Sequence, residues 1–433
     1  MARSFVFYGV CTLLMSCSDG NQPREPQEVT LDTFNTALAG AFIPYEAERR
    51  QPIAEAMAAT DADIICLQEV WNQADKELIR DAAIQTYPYS AFFRDNLDTP
   101  IDDATDQQGQ VPPPPTGAPC PDEVAVGNGL NVLEQMNAAV DCVRDNCSTL
   151  PDPSSDLGRT TSTECASSNC VGAVAGLLFG DAQQQRCYAC LVTQLPTSTF
   201  AKIRDSCANV VNQDLAFDGQ NGVMILSRHP LKNAAEWVLP GTWNRRVIVS
   251  ATAELPNGSD VDIYCNHFTS ILQSAPINTY PYTGQYGDGM TGPAGWLAEM
   301  ELQAQKLINY VNQTSGSRQA VILGDFNSGH AYPAESIAAE AEPTLNILES
   351  AFSPAYTASY TPLCTYCSAN PVTNPNADPN VASVWIDQIL LDNFASDSVL
   401  STARIFDQDV VPAGGMMVPL SDHYGMRSVI SVP

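Results

Sequence analysis

An apolar run that stops at polar residues constrains the fold of this chain more than any other stretch. Residues 321–323 are Val, Ile and Leu, Gly324 ends the run, and Asp325 and Asn327 follow two residues apart. Such a run predicts a buried strand that delivers polar side chains to the end of a sheet. Because side chains alternate along an extended backbone, we expect Asp325 and Asn327 to share one face. A strand followed by an ordinary Asx turn is the alternative interpretation.

Several other predicted strands also end in polar side chains. The residues at these positions are Asn35, Glu69, His267, Asp325, Asn327, Asp387, Asp422 and His423. Burying so many acids at strand ends without a cation would strongly destabilise the fold. Carboxylate and amide oxygens suit a hard ion such as Mg²⁺, and the set also contains a base and a carboxylate that could orient it. The residues therefore predict metal-assisted hydrolysis.

Strand and helix signals alternate along most of the chain. Residues 44–60 and 296–312 have apolar residues at helical spacing, whereas residues 28–35 and 63–69 read as strands. Residues 247–265 predict two antiparallel strands joined by an Asn-Gly turn. This order of elements predicts an α/β fold.

Eight of the fourteen cysteines lie between residues 120 and 207. An even, crowded set predicts a disulfide framework in an oxidising compartment. A zinc site is the alternative, because Cys187-x-x-Cys190 and Cys364-x-x-Cys367 have ligand spacing, although the crowded segment contains no histidine. Cys66 and Cys265 lie singly inside apolar runs, so we expect two buried thiols.

Residues 98–214 interrupt the α/β pattern. They begin with a loop that contains Pro112 to Pro115 and continue with the crowded cysteines, separated by stretches that can be helical. We interpret them as an inserted, cysteine-rich, mostly helical subdomain within a domain formed by residues 29–97 and 215–433. The insertion could be a rigid surface feature, or it could be a lid or partner-binding module.

The N-terminus predicts export. Arg3 precedes a short apolar run that is too short for a stable membrane anchor, so residues 1–17 read as a signal peptide. Leu14-Met15-Ser16-Cys17 resembles a bacterial lipobox, in which Cys17 would be lipidated and residues 18–28 would form a linker. An ordinary signal peptide with an incidental Cys17 is the alternative.

The charge balance bears on the partners. The formal net charge is -29, from 20 basic and 49 acidic residues, so the chain repels polyanions at long range. We therefore expect no stable nucleic-acid partner, and membrane contact only through the lipid anchor. Tyr280, Tyr282 and Tyr286 lie in a long predicted loop before Trp296, which could form either an aromatic substrate rim or a plain solvated loop.

Seven segments, in order, carry a family resemblance. They are Thr33-Phe-Asn35, Leu67-Gln-Glu69-Val, Gly222-Val-Met-Ile-Leu-Ser-Arg-His-Pro230, Asn266-His267-Phe, Gly324-Asp325-Phe-Asn327, Ile386-Asp387-Gln-Ile-Leu and Ser421-Asp422-His423. Together they resemble the endonuclease/exonuclease/phosphatase superfamily, whose fold is shared by DNase I and neutral sphingomyelinases. The resemblance implies a four-layer α/β/β/α sandwich of two mixed sheets over residues 29–97 and 215–433. One departure is Asn266, where Thr or a similar small residue is common.

The resemblance also implies a metal site. Glu69, together with Asn35, would hold a divalent cation that neutralises the phosphate, and Asp422 would be the second acid on the metal side. The cation would be Mg²⁺, or Mn²⁺ or Ca²⁺ in its place.

The remaining site residues are assigned catalytic roles by the same resemblance. His423 would be the general base for the attacking water, and Asp387 would fix its tautomer. Asp325 and Asn327 would orient the nucleophile and the phosphate oxygens. His267 would stabilise the phosphoryl oxygens or protonate the leaving group.

The resulting hypothesis is an exported or lipid-anchored, metal-dependent phosphoester hydrolase, in particular a phosphodiesterase. Its substrate would be a phospholipid head group, a nucleic acid or an organic phosphate. An extracellular nuclease or a phosphomonoesterase of the same fold is one alternative. A non-catalytic binding protein that displays the cysteine-rich module is an alternative of another class.

Overall fold

The computed structural model describes residues 25–95, 117–123, 129–150, 152, 155–209, 215–271 and 292–433. The predicted signal peptide with Cys17, the loop at Pro112 to Pro115 and the three tyrosines at positions 280, 282 and 286 lie outside these residues. Within the described part of the chain, no helix combines the length and apolar character needed to cross a membrane.

Strands and helices alternate as the sequence pattern predicts. The strands are β1 (Gln27–Leu38), β2 (Ile64–Val70), β3 (Tyr89–Ala91), β4 (Met224–Ser227), β5 (Leu231–Leu239), β6 (Arg246–Glu254), β7 (Asp260–His267), β8 (Ala320–Asp325), β9 (Ser353–Pro354), β10 (Asp387–Asp392), β11 (Val399–Ile405), β12 (Val411–Ala413), β13 (Met416–Val418) and β14 (Gly425–Val432). The helices are α1 (Glu46–Ala59), α2 (Gln73–Ala83), α3 (Val132–Cys147), α4 (Thr163–Asn169), α5 (Val171–Leu178), α6 (Ala182–Gln194), α7 (Phe200–Ala208), α8 (Gly292–Thr314) and α9 (Glu342–Glu349). The predicted helices 44–60 and 296–312 correspond to α1 and α8.

Two six-stranded sheets form the centre of the molecule. The first has the order β11-β14-β1-β2-β4-β3, and the second has the order β5-β6-β7-β8-β10-β9. Strands β1 and β2 are parallel, as are β7 and β8, whereas the other pairs are antiparallel. Both sheets are therefore mixed.

Alternation along the strands places apolar side chains on both faces of each sheet. Residues such as Ile64, Val249 and Leu323 pack between the sheets. Helices α1 and α2 cover the outer face of the first sheet, where Ile53 and Ile79 meet its strands. Helices α8 and α9 cover the second sheet. The predicted four-layer α/β/β/α sandwich is confirmed, because each sheet buries one face on the other sheet and one on helices.

Helices α3 to α7 share a core of their own, which includes Val132, Met136 and Phe200. Helix α3 begins at a capping box formed by Asn131 and Glu134, which satisfies backbone donors of its first turn. Four disulfides join Cys120 to Cys187, Cys142 to Cys170, Cys147 to Cys165, and Cys190 to Cys207. The disulfide framework is therefore confirmed, whereas the boundaries 98 and 214 stay a prediction.

The zinc alternative is wrong for both Cys-x-x-Cys pairs. Cys187 and Cys190 have separate disulfide partners, and Cys364 is bonded to Cys367. A disulfide sulfur has no thiolate to offer a zinc ion, so the ligand spacing carries no metal site here.

The expectation of two buried free thiols at Cys66 and Cys265 is also wrong. The two residues form a disulfide across 199 residues of sequence, with their Cα atoms 5.4 Å apart. Cys66 lies in β2 and Cys265 in β7, so the bridge joins the facing sheets. Their pairing depends on how the sheets stack, which neither local sequence shows.

We expect the double substitution Cys66→Ala and Cys265→Ala to lower the free energy of unfolding by about 2–5 kcal/mol, because the bridge restricts a long loop in the unfolded chain. Urea denaturation monitored by circular dichroism would measure the change. Replacing Cys364 and Cys367 by alanine is the matched control, with a smaller expected effect because that loop is short. Equal midpoints for the first variant and the wild type would contradict the prediction.

Candidate active site

Three site residues lie side by side across the second sheet. His267 is in register with Asp325, and Asp325 is in register with Asp387, because β7, β8 and β10 are neighbours. All three residues are buried. Gly324 allows the close approach of β7 and β8, since a Cβ at this position would overlap the carbonyl oxygen of Asn266. The strand ends therefore align a histidine and two carboxylates in one row.

Asn35 and Glu69 come from the parallel strands β1 and β2 of the first sheet. Asn35 is in register with Gln68, and the register shifts immediately afterwards. Glu69 has a φ of 55°, in the left-handed region that residues with side chains rarely adopt. Such backbone strain persists only where the surroundings enforce it, and it is concentrated at functional sites.

Asn35 links the two sheets. Its Nδ2 donates hydrogen bonds to Asp325 Oδ2 at 2.9 Å and to Glu69 Oε1 at 3.2 Å. His267 Nε2 lies 3.6 Å from Asp325 Oδ2 and 3.9 Å from Glu69 Oε1. Asp325 is therefore the central residue at which the strand ends of both sheets meet.

A histidine and a carboxylate form a buried pair on the other side of Asp325. His423 Nδ1 lies 2.8 Å from Asp387 Oδ2, and His423 Nε2 lies 3.9 Å from Asp325 Oδ2. Both partners are held by their backbones: the amide of Asp387 donates to Thr365 Oγ1, and the amide of His423 donates to Ser421 Oγ. With Nδ1 bonded to Asp387, the free nitrogen Nε2 faces the centre of the site.

Asn327 does not follow the alternation argument. Strand β8 ends at Asp325, and Asn327 has a φ of 49°, so the backbone is no longer extended there. The amide of Asn327 donates to Asp325 Oδ1 at 2.8 Å, and its Nδ2 donates to the carbonyl of Phe268 at 2.9 Å. The Asx-turn interpretation is therefore correct for this backbone, and the turn itself holds Asp325 in place.

Burial and charge perturb the ionisable groups. Burial, reinforced by the Asp422 carboxylate, raises the pKa of Glu69. Burial and Asp387 raise the pKa of Asp325 to about 7. Burial by itself would lower the pKa of His423, but the carboxylates around it, first Asp387, raise it well above its usual value.

His267 shows the opposite shift. Burial lowers its pKa well below the usual value, and the positive charges of Arg246 and His423 add to the effect. Its imidazole is therefore neutral at physiological pH. Its Nδ1 has no hydrogen-bond partner among the described residues.

The donor chemistry of the site fits a hard divalent cation. Glu69 and Asp422 contribute carboxylate oxygens, and the charge of Asp422 adds to the effect of burial in raising the pKa of Glu69. Asn35 Oδ1 accepts one hydrogen bond, from the amide of Ala37, and so keeps a second lone pair. A bound cation would relieve the repulsion between the two acids.

A second group of possible ligands is less suited to a metal. One ligand atom each from Asp325, Asp387 and His423 lies within 4.8 Å of the others. The hydrogen bond between Asp387 and His423 already occupies two of these groups. The assignment of Glu69, Asn35 and Asp422 as the metal ligands stays a prediction.

Two arginines of the site were missed at the sequence level. Arg49 is buried and donates to the carbonyls of Thr36, Ala37 and Leu420, which ties the end of β1 to the segment before Asp422. Arg246 lies at the start of β6, and the negative charges of Glu69 and Asp325 act on its pKa. For Arg246, the only indication in the sequence was a pair of arginines, at positions 245 and 246, just before a predicted strand.

The chain is similar in sequence to a known protein family. The profile of the Endonuclease/Exonuclease/phosphatase family matches residues 33–423, a span that contains all eight predicted site residues. No curated protein sequence matches the chain.

The solved structures to which this chain is similar include three proteins. The structure of SmcL has 13% identity over 93% of this chain and 99% of its own, with a TM-score of 0.47. A variant of beta toxin from Staphylococcus aureus with bound magnesium ions has 13% identity, the same coverages of 93% and 99%, and a TM-score of 0.48. Sphingomyelinase C from Streptomyces griseocarneus has 13% identity, coverages of 93% and 99%, and a TM-score of 0.44.

Proposed function

Because this chain belongs to the endonuclease/exonuclease/phosphatase family, and is thus a metal-dependent hydrolase of phosphate esters, we propose that it is a phosphodiesterase. The observation that carries the proposal is the convergence at Asp325 of a metal-binding half, Glu69 with Asn35, and a proton-transfer half, His423 with Asp387. Metal-assisted attack of water on phosphorus needs both halves within one small site.

In this proposal His423 is the general base. Asp387 accepts the Nδ1 hydrogen and thereby leaves Nε2 as the proton acceptor, facing the centre of the site. Asp325 lies beside Nε2 and orients the water. The backbone amide of Asn327 holds Asp325 in place. This supporting role replaces the direct contact of Asn327 with the phosphate that the resemblance implied.

Glu69, Asn35 and Asp422 would hold the divalent cation, which when bound supplies positive charge to the phosphate oxygens and the leaving group. The neutral state of His267 favours one of its two predicted roles. A neutral imidazole donates a hydrogen bond to a phosphoryl oxygen more readily than it protonates a leaving group. Its Nε2, close to Glu69 and Asp325, lies at the junction of the two halves.

The charge of the chain supports a phosphodiester other than a polynucleotide. A net charge of -29 repels polyanions at long range, so a nuclease would need a local basic surface. Trp296 does not contribute to an aromatic rim, because it is fully buried. The substrate class that we propose is a small or lipid-linked phosphodiester.

A substrate panel tests this function. The purified chain with Mg²⁺ is assayed on a chromogenic phosphodiester, a chromogenic phosphomonoester, plasmid DNA and choline-phospholipid vesicles, each with and without EDTA. We expect diester hydrolysis that EDTA abolishes. Faster hydrolysis of the monoester than of the diester would identify a phosphomonoesterase. Activity on plasmid DNA and on no other substrate of the panel would identify a nuclease. No turnover on any substrate would support the non-catalytic binding protein.

The location that we propose rests on the cysteines. Six disulfides among the described residues indicate an oxidising, extracellular setting. Export by the signal peptide and lipidation at Cys17 would add a membrane anchor. Labelling of the full chain with a radioactive fatty acid tests the anchor, and absence of label would leave an ordinary secreted protein.

The perturbed pKa of His423 predicts a pH dependence. Only the neutral imidazole accepts a proton, so kcat/KM should fall as the pH drops through the pKa of His423. Asp387→Asn removes the carboxylate that most strongly raises this pKa, and the fall should then occur at lower pH. The rate at high pH should also decrease, by about 100-fold, because the tautomer is no longer fixed. A pH profile of kcat/KM at saturating Mg²⁺ would show both effects, and an unchanged midpoint would contradict the assignment.

A further inference from the structure

Arg246 is a buried cation with two unpaired donor nitrogens among the described residues. Only 5% of the residue is exposed, and its Nε and Nη1 have no hydrogen-bond partner among the described residues. It lies two residues before Ile248, which is in register with Asn266, so β6 places it beside the strand end that carries His267. Buried guanidinium groups without acceptors destabilise a fold and therefore require an explanation.

The other buried arginines show the usual arrangement. Arg49 donates to four backbone carbonyls, and Arg245 Nε donates to the carbonyl of Gly219. Both side chains hold loops together. Nε and Nη1 of Arg246 have no such acceptor within the described part of the chain, so a purely structural role does not account for these two nitrogens.

The acids near Arg246 already have other partners. Glu69, Asp325 and Glu299 are the charges that act on its pKa. Glu69 and Asp325 accept hydrogen bonds from Asn35, and Glu299 accepts hydrogen bonds from Thr242 and Thr269. Burial lowers the pKa of Arg246 to about 10, so the group stays positively charged at neutral pH.

Aromatic packing fixes the position of the guanidinium. Its central carbon lies 5.8 Å from the centre of the Trp71 ring, and that ring is stacked on Phe217 at 4.2 Å. Trp71 also lies 5.8 Å from the ring of His267. The same tryptophan therefore contacts the arginine and a site histidine, which orients the guanidinium without consuming its hydrogen-bond donors.

We propose that Arg246 binds the non-bridging oxygens of the substrate phosphoryl group and stabilises their charge in the transition state. A planar guanidinium with free N–H groups matches two phosphate oxygens, and the contact of Arg246 with Trp71, whose ring also lies 5.8 Å from that of His267, places the guanidinium beside the site. This inference rests on the proposed phosphodiesterase function, to which it adds a catalytic residue.

The first arm of the test is kinetic. Arg246→Ala and Arg246→Lys are compared with the wild type on a chromogenic phosphodiester at saturating Mg²⁺. We expect Arg246→Ala to lower kcat/KM by about 100-fold, the scale of removing one preorganised donor. Arg246→Lys should be intermediate, because a single ammonium replaces a two-pronged donor. Added guanidinium ion should restore part of the activity of Arg246→Ala alone.

The matched control is Arg94→Ala, since the Arg94 side chain is 70% exposed and lies outside the site. Its kcat/KM should equal that of the wild type. Thermal unfolding of each variant shows whether it is folded, and Arg246→Lys keeps the test decisive if the alanine variant does not fold. Wild-type kcat/KM in both folded Arg246 variants would overturn the inference.

The second arm does not need turnover. Binding of inorganic phosphate to the Mg²⁺-loaded protein is measured by calorimetry, and we expect at least about 10-fold weaker binding in Arg246→Ala, the equivalent of one charge-assisted contact. If the wild type binds phosphate but hydrolyses no ester, and Arg246→Ala binds phosphate more weakly, the proposed function and the transition-state role fail, whereas the assignment of Arg246 as a phosphate ligand stands. If the wild type is an active diesterase and both arms leave Arg246→Ala unchanged, the inference fails and the proposed function stands.

Discussion

Replacement of His423 by alanine is expected to lower kcat by about 10³–10⁴-fold, at the upper part of the range for loss of a positioned general base. The residue is 5% exposed and bonded to Asp387, so no bulk solvent base can take its exact position. Because Nε2 lies beside Asp325 at the centre of the site, the loss should affect the chemical step and leave the metal requirement in place.

Steady-state kinetics on a chromogenic phosphodiester would measure this effect, together with the melting temperature of the variant. His229→Gln is the matched control. His229 is buried as well, but its Nε2 faces Asp63, the residue before β2, at the opposite end of that strand from Glu69. Its kcat should be unchanged. Near-normal turnover of a folded His423→Ala variant would remove His423 from the mechanism.

Glu69→Gln is expected to have the second large effect, on metal dependence. The substitution keeps the shape of the side chain and removes its charge. We expect the Mg²⁺ concentration for half-maximal activity to rise by at least about 10-fold. Even the loss of a residue that only hydrogen-bonds to a metal ligand lowers metal affinity on that scale. The pKa of Glu69 is raised by burial and by Asp422, so its carboxylate is unfavourable in the metal-free fold.

The effect of Glu69→Gln on the melting temperature should therefore depend on whether the metal is present. In EDTA the melting temperature of the variant should equal or exceed that of the wild type, because repulsion from Asp422 is removed. With Mg²⁺ the wild type should gain stability and the variant should gain much less. Glu77→Gln, whose carboxylate is exposed on α2, is the control. An unchanged Mg²⁺ response in Glu69→Gln would remove Glu69 from the metal site.

Local patterns along the sequence were sufficient to predict the alternating strands and helices and the polar residues at the strand ends. The apolar runs before Glu69 and Asp325, and the alternating stretch before Asn35, mark strands that are largely buried where they reach the site. Helical spacing in residues 296–312 marks the helix that covers the second sheet. These features depend on periods of two and 3.6 residues, which are local properties of a chain.

The pairing of His423 with Asp387 was predictable only through the family resemblance, and the contact of Asn35 with Asp325 was not predicted. The contact of His423 with Asp387 joins residues 36 positions apart, and that of Asn35 with Asp325 joins residues 290 positions apart. No local pattern contains such pairings. The roles of the eight site residues stay predictions until variants are measured.

Tertiary structure alone decided several features, because each depends on what lies across a sheet or beyond a strand end. The Cys66–Cys265 disulfide exists because β2 and β7 face each other, and Asn327 turns away because extended backbone ends at Asp325. The free donors of Arg246 depend on burial among groups that are already paired. The sequence by itself determined which polar residues reach the sheet ends, whereas packing determined which of them meet, since long-range contacts form only when the layers stack.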